Sequence, residues 1–401
     1  FYWVNILETV LMKKRCNICN QKFIDKLSLG KHPCADTFLK NKLKAQRLKK
    51  YPLIVAFCKC SHMSLIYPVP NYNRYEKYDY SYTSDNSIVS RTHFKKIASL
   101  ICKKFKINKK SFVIEAGSND GTFLKEIFNS SNAKVLGVDP AKNITNLAKK
   151  KNINTITNYF NYKTLKKILK KFGGADVIYG ANVFNHVDDI QDFLYGANKL
   201  LKNNGNLILE VPDLSSLIEK VGFDTIYHEH RHYFSENSIN KILNKNGFYI
   251  YDIKKINYMS GSLRVFASKK KLNKIKLRQI TLTQFKEFKK KTTYTIARIK
   301  KFVKSNSPVV GIGAATKGNT LLNCCEFTEK DIKFILDRSA YKINKFTPGS
   351  GIKIKKETQS IDNYSALILP WNITKYLLRK KYFKKIKYTS IAKITRNIKW
   401  L

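Results

Sequence analysis

The chain has 401 residues, too many for one ordinary core and suited to two or three domains. Hydrophobic residues make up 43% and aromatics 12%, which excludes a disordered chain. The formal net charge of +48 points at face value to nucleic acid or an anionic membrane surface, yet Lys is spread along the whole chain beside abundant Asn, Ile, Tyr and Phe, as an overall composition bias would spread it.

No apolar run is long enough to cross a bilayer. The opening Phe1–Leu11 is short and lacks a basic flank, so it makes a poor signal peptide, and Met12 ahead of Lys13-Lys14-Arg15 reads as an alternative start. Eight cysteines, several in close pairs, suit a reducing, cytoplasmic compartment, where such pairs are more often metal ligands than disulfides.

Residues 12–85 hold Cys pairs, few long apolar periods and a Tyr-rich run, and read as a small irregular domain. Residues 86–265 alternate strand-like and helix-like segments. Phe112–Glu115, Lys134–Asp139, Ala175–Tyr179 and Asn206–Val211 are the strands, and a parallel α/β sheet follows. Residues 266–401 open with a Lys-rich stretch, 270–305, whose Leu, Ile and Phe fall at helical spacing: a long linker helix with a solvated charged face. A second α/β unit follows, with strands at 308–313, 332–337 and 366–370 and a helix at 316–325.

Four patterns carry chemistry. The first is Val113-Ile-Glu-Ala-Gly-Ser-Asn-Asp-Gly-Thr122, a strand entering a Gly-rich turn at the start of a helix. In a doubly wound sheet a nucleotide-type ligand sits at such a turn. The turn is not G-x-G-x-x-G, and Glu115 and Asp120 suit a cationic ligand better than phosphates. Asp139, roughly 20 residues on, is positioned to accept hydrogen bonds from ribose hydroxyls. The second pattern is Cys16-x-x-Cys19 with Cys58-x-Cys60, two pairs that suggest a structural tetrathiolate zinc site although the second is one residue short of the usual spacing. The third is Tyr227-His-Glu-His-Arg-His-Tyr233. If extended, it puts His228, His230 and His232 on one face as a metal trio; if it lines a pocket, one imidazole is a general base near neutral pH. The fourth is Gly311-Ile-Gly-Ala-Ala-Thr-Lys-Gly318, either an anion cradle with Lys317 as a point charge or a plain structural turn.

These pieces resemble the bacterial deoxysugar C-methyltransferases, which act on nucleotide-linked 4-keto-6-deoxyhexoses. The resemblance rests on Cys16-x-x-Cys19, His32-Pro-Cys-Ala-Asp-Thr-Phe38, Glu115–Thr122, Leu136–Asn143, Ala181–Val187, Phe223–His230, Ser260–Arg264, Gly313–Asn323, Asp337-Arg338, Thr347–Gly349 and Leu369–Asn372, in family order from about residue 13 onward. It implies a zinc-bearing domain over 12–85, a class I S-adenosylmethionine (SAM) methyltransferase domain of Rossmann-like α/β fold over 86–265, and a second Rossmann-like domain over 266–401 that helps hold the nucleotide sugar. It makes His230 the base, with Tyr227, Glu229 and His186 around it. Glu115, Gly117, Ser118, Asn119, Asp120, Asp139, Pro140 and Asn182 are the cofactor residues it implies; Lys317, Asn319, Arg338, Trp371 and Asn372 are the acceptor residues; Cys16, Cys19, Cys58 and Cys60 are the zinc ligands.

The expected reaction is SAM-dependent methylation of a carbon beside the sugar ketone, by a monomer with no nucleic-acid or membrane partner. The alternatives are O- or N-methylation of another sugar or metabolite, and a basic nucleic-acid-binding protein with a zinc knuckle, which predicts salt-sensitive binding to random DNA or RNA.

Overall fold

The computed structural model describes residues 13–67, 69–70, 72–85, 87–271, 275–357, 361–379, 383 and 386–396; the opening stretch and Met12 lie outside them. Three sheets organise the described residues. Among them no helix is long and apolar enough to cross a membrane.

The first sheet is antiparallel: β1 (Asp25–His32), β2 (Tyr51–Phe57), β3 (His62–Leu65) and then β9 (His232–Phe234), which arrives from far along the chain and pairs Met63 with Tyr233. The region expected to be irregular is therefore a sheet completed by the His-rich run.

The second sheet contains β4 (Phe112–Ala116), β5 (Lys134–Asp139), β6 (Thr155–Thr157), β7 (Ala175–Ala181), β8 (Leu201–Pro212), β10 (Tyr249–Ile256) and β11 (Ser262–Ser268), in the order β10-β11-β8-β7-β4-β5-β6. β4 to β8 run parallel, and β11 is inserted antiparallel between β8 and β10. β4 is buried at every position, as a strand covered on both faces must be. The helix Tyr162–Phe172 shows why the covering elements are helical: Leu165 and Ile168 point in, lysines point out, and Asn161 caps it by accepting from the Thr164 amide.

The third sheet is wholly parallel, in the order β14 (Ile354–Lys356), β13 (Ile332–Asp337), β12 (Val309–Ile312), β15 (Ser365–Ile368), β16 (Tyr388–Thr389). The helix before it spans Leu282–Ser305, starting at a capping box between Thr281 and Gln284 and not at 270. It is more than a solvated linker. Phe285, Phe288, Ile299 and Val303 are buried, and Phe285 stacks on Phe57 of β2 with ring centroids 4.9 Å apart.

The first sheet has no core of its own. Leu53, Val55, Phe57 and Met63 share one cluster with Val221, Phe223, Phe285 and Leu321, while Cys16, Ile18, Cys58 and Cys60 join a second with β4, β7 and β8. A fragment ending at residue 85 would lose β9 and those partners, so it should give an unfolded amide spectrum with or without zinc. A dispersed spectrum would contradict this sharing of cores.

Candidate active site

At the end of β4 the chain turns through Gly117, whose φ is +63. A Cβ at Gly117 would lie 2.8 Å from the Val183 side chain, so the turn after β4 sits directly against the turn after β7. Asp139 closes the site from β5: its carboxylate accepts from the Asn119 amide at 3.0 Å and the Ala141 amide at 2.9 Å, while burial pushes its pKa up to about 6. Glu115 is buried, its pKa is driven well up by burial and then by Asp120, and its Oε2 has no hydrogen-bond partner. Ser118 Oγ is also unpartnered. Pro140 lines a cavity of about 660 Å³ with Tyr75, Tyr78, Asn143, Thr157 and Asn158. Asn182 follows β7 at φ +53, its amide bonded to the Glu210 carbonyl. Unpaired acceptors, a close backbone approach and an open cavity fit a ligand rich in cationic and hydroxyl donors, as S-adenosylmethionine is.

The turn after β7 leads to His186, and the 3₁₀ turn Phe223–Thr225 leads to His230. The two rings stand edge to face, centroids 4.8 Å apart. Each has its own phenol: Tyr227 Oη lies 2.7 Å from His230 Nε2, and Tyr75 Oη lies 2.7 Å from His186 Nδ1. His230 Nδ1 lies 2.9 Å from the Thr225 carbonyl. A carbonyl only accepts, so Nδ1 carries the proton and Nε2 the lone pair. Burial depresses the His230 pKa to about 4 and drives that of His186 well below the usual value, His230 adding to the effect. Both rings are neutral near pH 7, and both are recessed yet partly open to solvent.

The group that orients the His230 ring is the Thr225 carbonyl and not Glu229. Glu229 turns the other way and accepts from the backbone amides of Ala35 (3.3 Å) and Asp36 (3.0 Å), while burial raises its pKa to about 7. The metal trio is also corrected. A turn at Tyr227–His230 breaks the extended run, so the rings diverge. His228 Nε2 donates to the His32 carbonyl, and His232 bonds to His62 and the Val187 carbonyl.

Of the residues expected to hold the acceptor, Lys317 and Trp371 meet. Lys317 Nζ lies 4.1 Å from the Trp371 ring centroid, 3.1 Å from Ser260 Oγ and 4.0 Å from Asp224 Oδ2, and the Trp371 indole donates to Asp224 at 2.8 Å. Burial lowers the Lys317 pKa to about 8. Asn319 does not join them; its amide donates to the Ala35 carbonyl at 2.6 Å. Arg338 and Asn372 are exposed near the ends of β13 and β15.

The four cysteines converge: their sulfurs all lie within 4.8 Å of one another, with Cys19–Cys58 at 3.3 Å and Cys16–Cys60 at 3.7 Å. Tetrahedral zinc–thiolate bonds of about 2.3 Å require sulfur–sulfur edges of about 3.8 Å. The short second pair is accommodated by a tight turn, with Ser61 at φ +59 and its amide bonded to the Cys58 carbonyl.

Tyr75, Arg74, Asp36 and Asp224 belong to this site but went unassigned from the sequence. Arg74 is buried, donates to the His186 carbonyl at 3.2 Å and pairs with Asp188 at 2.7 Å. The Tyr-rich run was the available signal for Tyr75.

A β10-β11-β8-β7-β4-β5-β6 sheet, with its last strand inserted antiparallel and an acidic Gly turn after its first, defines a class I SAM-dependent methyltransferase. Residues 89–253 match the model described as a methyltransferase domain and residues 259–391 that described as a C-methyltransferase C-terminal domain. The chain is 30% identical over 379 residues to the C-methyltransferase NovU of Streptomyces niveus, across 89% of each chain. Among solved structures, the magnesium protoporphyrin IX methyltransferase of Synechocystis with bound SAH is 18% identical over 46% of this chain and 88% of its own, at a TM-score of 0.36. The plantazolicin methyltransferase BpumL in complex with SAH is 15% identical over 46% and 87%, at 0.37. The chain belongs to the C-methyltransferase family.

Gly117→Ala should lower the melting temperature and weaken binding of S-adenosylhomocysteine (SAH), since it adds a left-handed-backbone cost of about 1–2 kcal/mol to the Val183 clash. Unchanged melting and calorimetric binding would contradict the close approach.

Proposed function

We propose that this C-methyltransferase acts on a nucleotide-linked 4-keto-6-deoxysugar, with His230 removing the proton from the carbon that is methylated. The observation that carries the reading is the His230 ring: recessed, neutral, held by the Thr225 carbonyl, with its lone pair on Nε2 beside a second His–Tyr pair.

Glu115, Gly117, Ser118, Asn119, Asp120, Asp139, Pro140 and Asn182 would hold the cofactor. When bound, S-adenosylmethionine supplies a methyl group made electrophilic by its sulfonium. The chain's own residues prepare the acceptor. A ketone acidifies the neighbouring C–H, and His230 Nε2 takes that proton. The Tyr227 hydroxyl, which occupies Nε2 in this arrangement, must release it, and the same O–H then serves the enolate oxygen. Tyr75 and His186 form the opposite donor pair. Glu229 fixes the Ala35–Asp36 turn that walls the site. The enolate carbon is then the nucleophile for methyl transfer. Lys317, Trp371 and Asp224 offer a cation, an aromatic ring and a carboxylate, a combination suited to a phosphorylated sugar. The division into a metal-bearing part at 12–85, a cofactor part at 86–265 and an acceptor-holding part at 266–401 belongs to the same reading.

His230→Asn should reduce turnover by about a hundred- to ten-thousand-fold while SAH binding is kept. Methylation is followed with a labelled methyl donor and a nucleotide-linked keto-deoxysugar, and the product bond is read by NMR. Near-normal turnover, or a methyl on oxygen or nitrogen, would contradict the reading.

We also propose that Cys16, Cys19, Cys58 and Cys60 hold one structural zinc. The convergence of four sulfurs supports it, with His62 Nδ1 3.3 Å from Cys16 Sγ. Elemental analysis should give about one zinc per chain, and a chelator should lower the melting temperature. A metal-free protein with unchanged melting would contradict it.

A further inference from the structure

The Asp36 side chain has no role in the chemistry proposed above, yet Asp36 touches the 80–85 segment, the helix Thr316–Cys324 and Glu229. It is 7% exposed. Its Oδ1 accepts from Ser81 Oγ and from Thr316 Oγ1, both at 2.7 Å, and its Oδ2 accepts from the Ser81 amide at 2.8 Å. Its own amide donates to Glu229. One carboxylate thus holds the 80–85 segment from one side and the first residue of the helix Thr316–Cys324 from the other, while its backbone fixes a buried carboxylate of the Tyr-His-Glu-His run.

The 80–85 segment is stitched to the cofactor turn along its length. Tyr80 exchanges hydrogen bonds with Asn143 through its amide (3.3 Å) and carbonyl (2.9 Å). The Tyr82 carbonyl accepts from Asn119 Nδ2, the Ser84 amide donates to Asn119 Oδ1, and the Asp85 amide donates to Asp120. Asn143 also lines the 660 Å³ cavity, together with Tyr75 and Tyr78 just upstream of the segment. A ligand in that cavity bears on the Tyr80 end of the strap through Asn143, and one that also reaches the Gly117 turn bears on the other end through Asn119 and Asp120. On the far side of Asp36, the helix Thr316–Cys324 carries Lys317, and Asn319 and Thr320 of the same helix grip the Ala35 and Ile226 carbonyls. No residue of 313–320 lines that cavity.

We propose that Asp36 is a positioning residue through which cofactor binding orders the acceptor side of the site. A filled cavity holds the 80–85 strap, the strap holds the Asp36 carboxylate through Ser81, and Asp36 sets Thr316 with Lys317 behind it and Glu229 beside it. The acceptor wall is then complete only when the cofactor is in, so binding is ordered, cofactor first. The proposal rests on the cofactor reading given above.

The test is hydrogen–deuterium exchange of the full chain with and without saturating SAH. In the wild type, SAH should protect the amides of 313–320 as well as those of the cofactor turn. In Asp36→Asn, which loses an acceptor for Ser81, SAH should still protect the cofactor turn but protection at 313–320 should be lost, and turnover should fall with little change in the KM for SAM. Thr316→Val cuts the Asp36–Thr316 link outright and Ser81→Ala removes one of the two bonds from Ser81, so both should lower protection at 313–320, Thr316→Val the more, even if Asp36→Asn fails to fold. SAH binding without protection at 313–320 in the wild type, or protection that survives undiminished in Ser81→Ala and Thr316→Val, overturns this proposal alone. Absence of SAH binding overturns the cofactor reading and this proposal with it.

Discussion

The hydrogen bond from His230 Nδ1 to the Thr225 carbonyl is the constraint on which the site depends. It fixes the tautomer, and with it the identity of the nitrogen that can take a proton. That carbonyl is itself held by long-range contacts. The turn Phe223–Thr225 is anchored when the Trp371 indole donates to Asp224, and the following Ile226 carbonyl accepts from Thr320. Residues that flank the strands of the third sheet therefore support a His230 ring that the central part of the chain supplies. Burial lowers the pKa of the ring and so favours its neutral form, which the proposed role of base requires.

The same run of residues serves two structures at once. Past His230 the chain becomes β9 and closes the first sheet, and there His232 links the site to the cysteine cluster. His232 Nε2 donates to the Val187 carbonyl, leaving its Nδ1 to accept from His62, whose other nitrogen lies 3.3 Å from Cys16 Sγ. Val187 directly follows His186. The sulfur cluster thus braces both histidine-bearing turns without entering the site, which is the role a structural metal would have.

Much of this was legible in the sequence wherever chemistry is local. Parallel strands read as continuous apolar runs, so Phe112–Glu115 and Lys134–Asp139 fell within a residue of β4 and β5. The acidic Gly turn identified itself, because strand, turn and carboxylate are contiguous. What escaped were contacts between distant segments. Asp36 meets Thr316 across 280 residues, Trp371 meets Asp224 across 147, and Tyr75 meets His186 across 111. No periodicity encodes such pairings. The His trio misled for a related reason: alternation suggested an extended strand, but the turn at Tyr227–His230 sends the rings to different partners. Despite the short Cys58-x-Cys60 spacing the four sulfurs converge, because a left-handed Ser61 closes the turn.

The proposed chemistry depends on the protonation state of one ring. Nitrogen-15 NMR of His230 in the full chain, followed from pH 8 downward, reads it directly. The account predicts a neutral ring protonated on Nδ1, with titration only as the pH approaches about 4. A ring protonated on Nε2, or an imidazolium near pH 7, would contradict it.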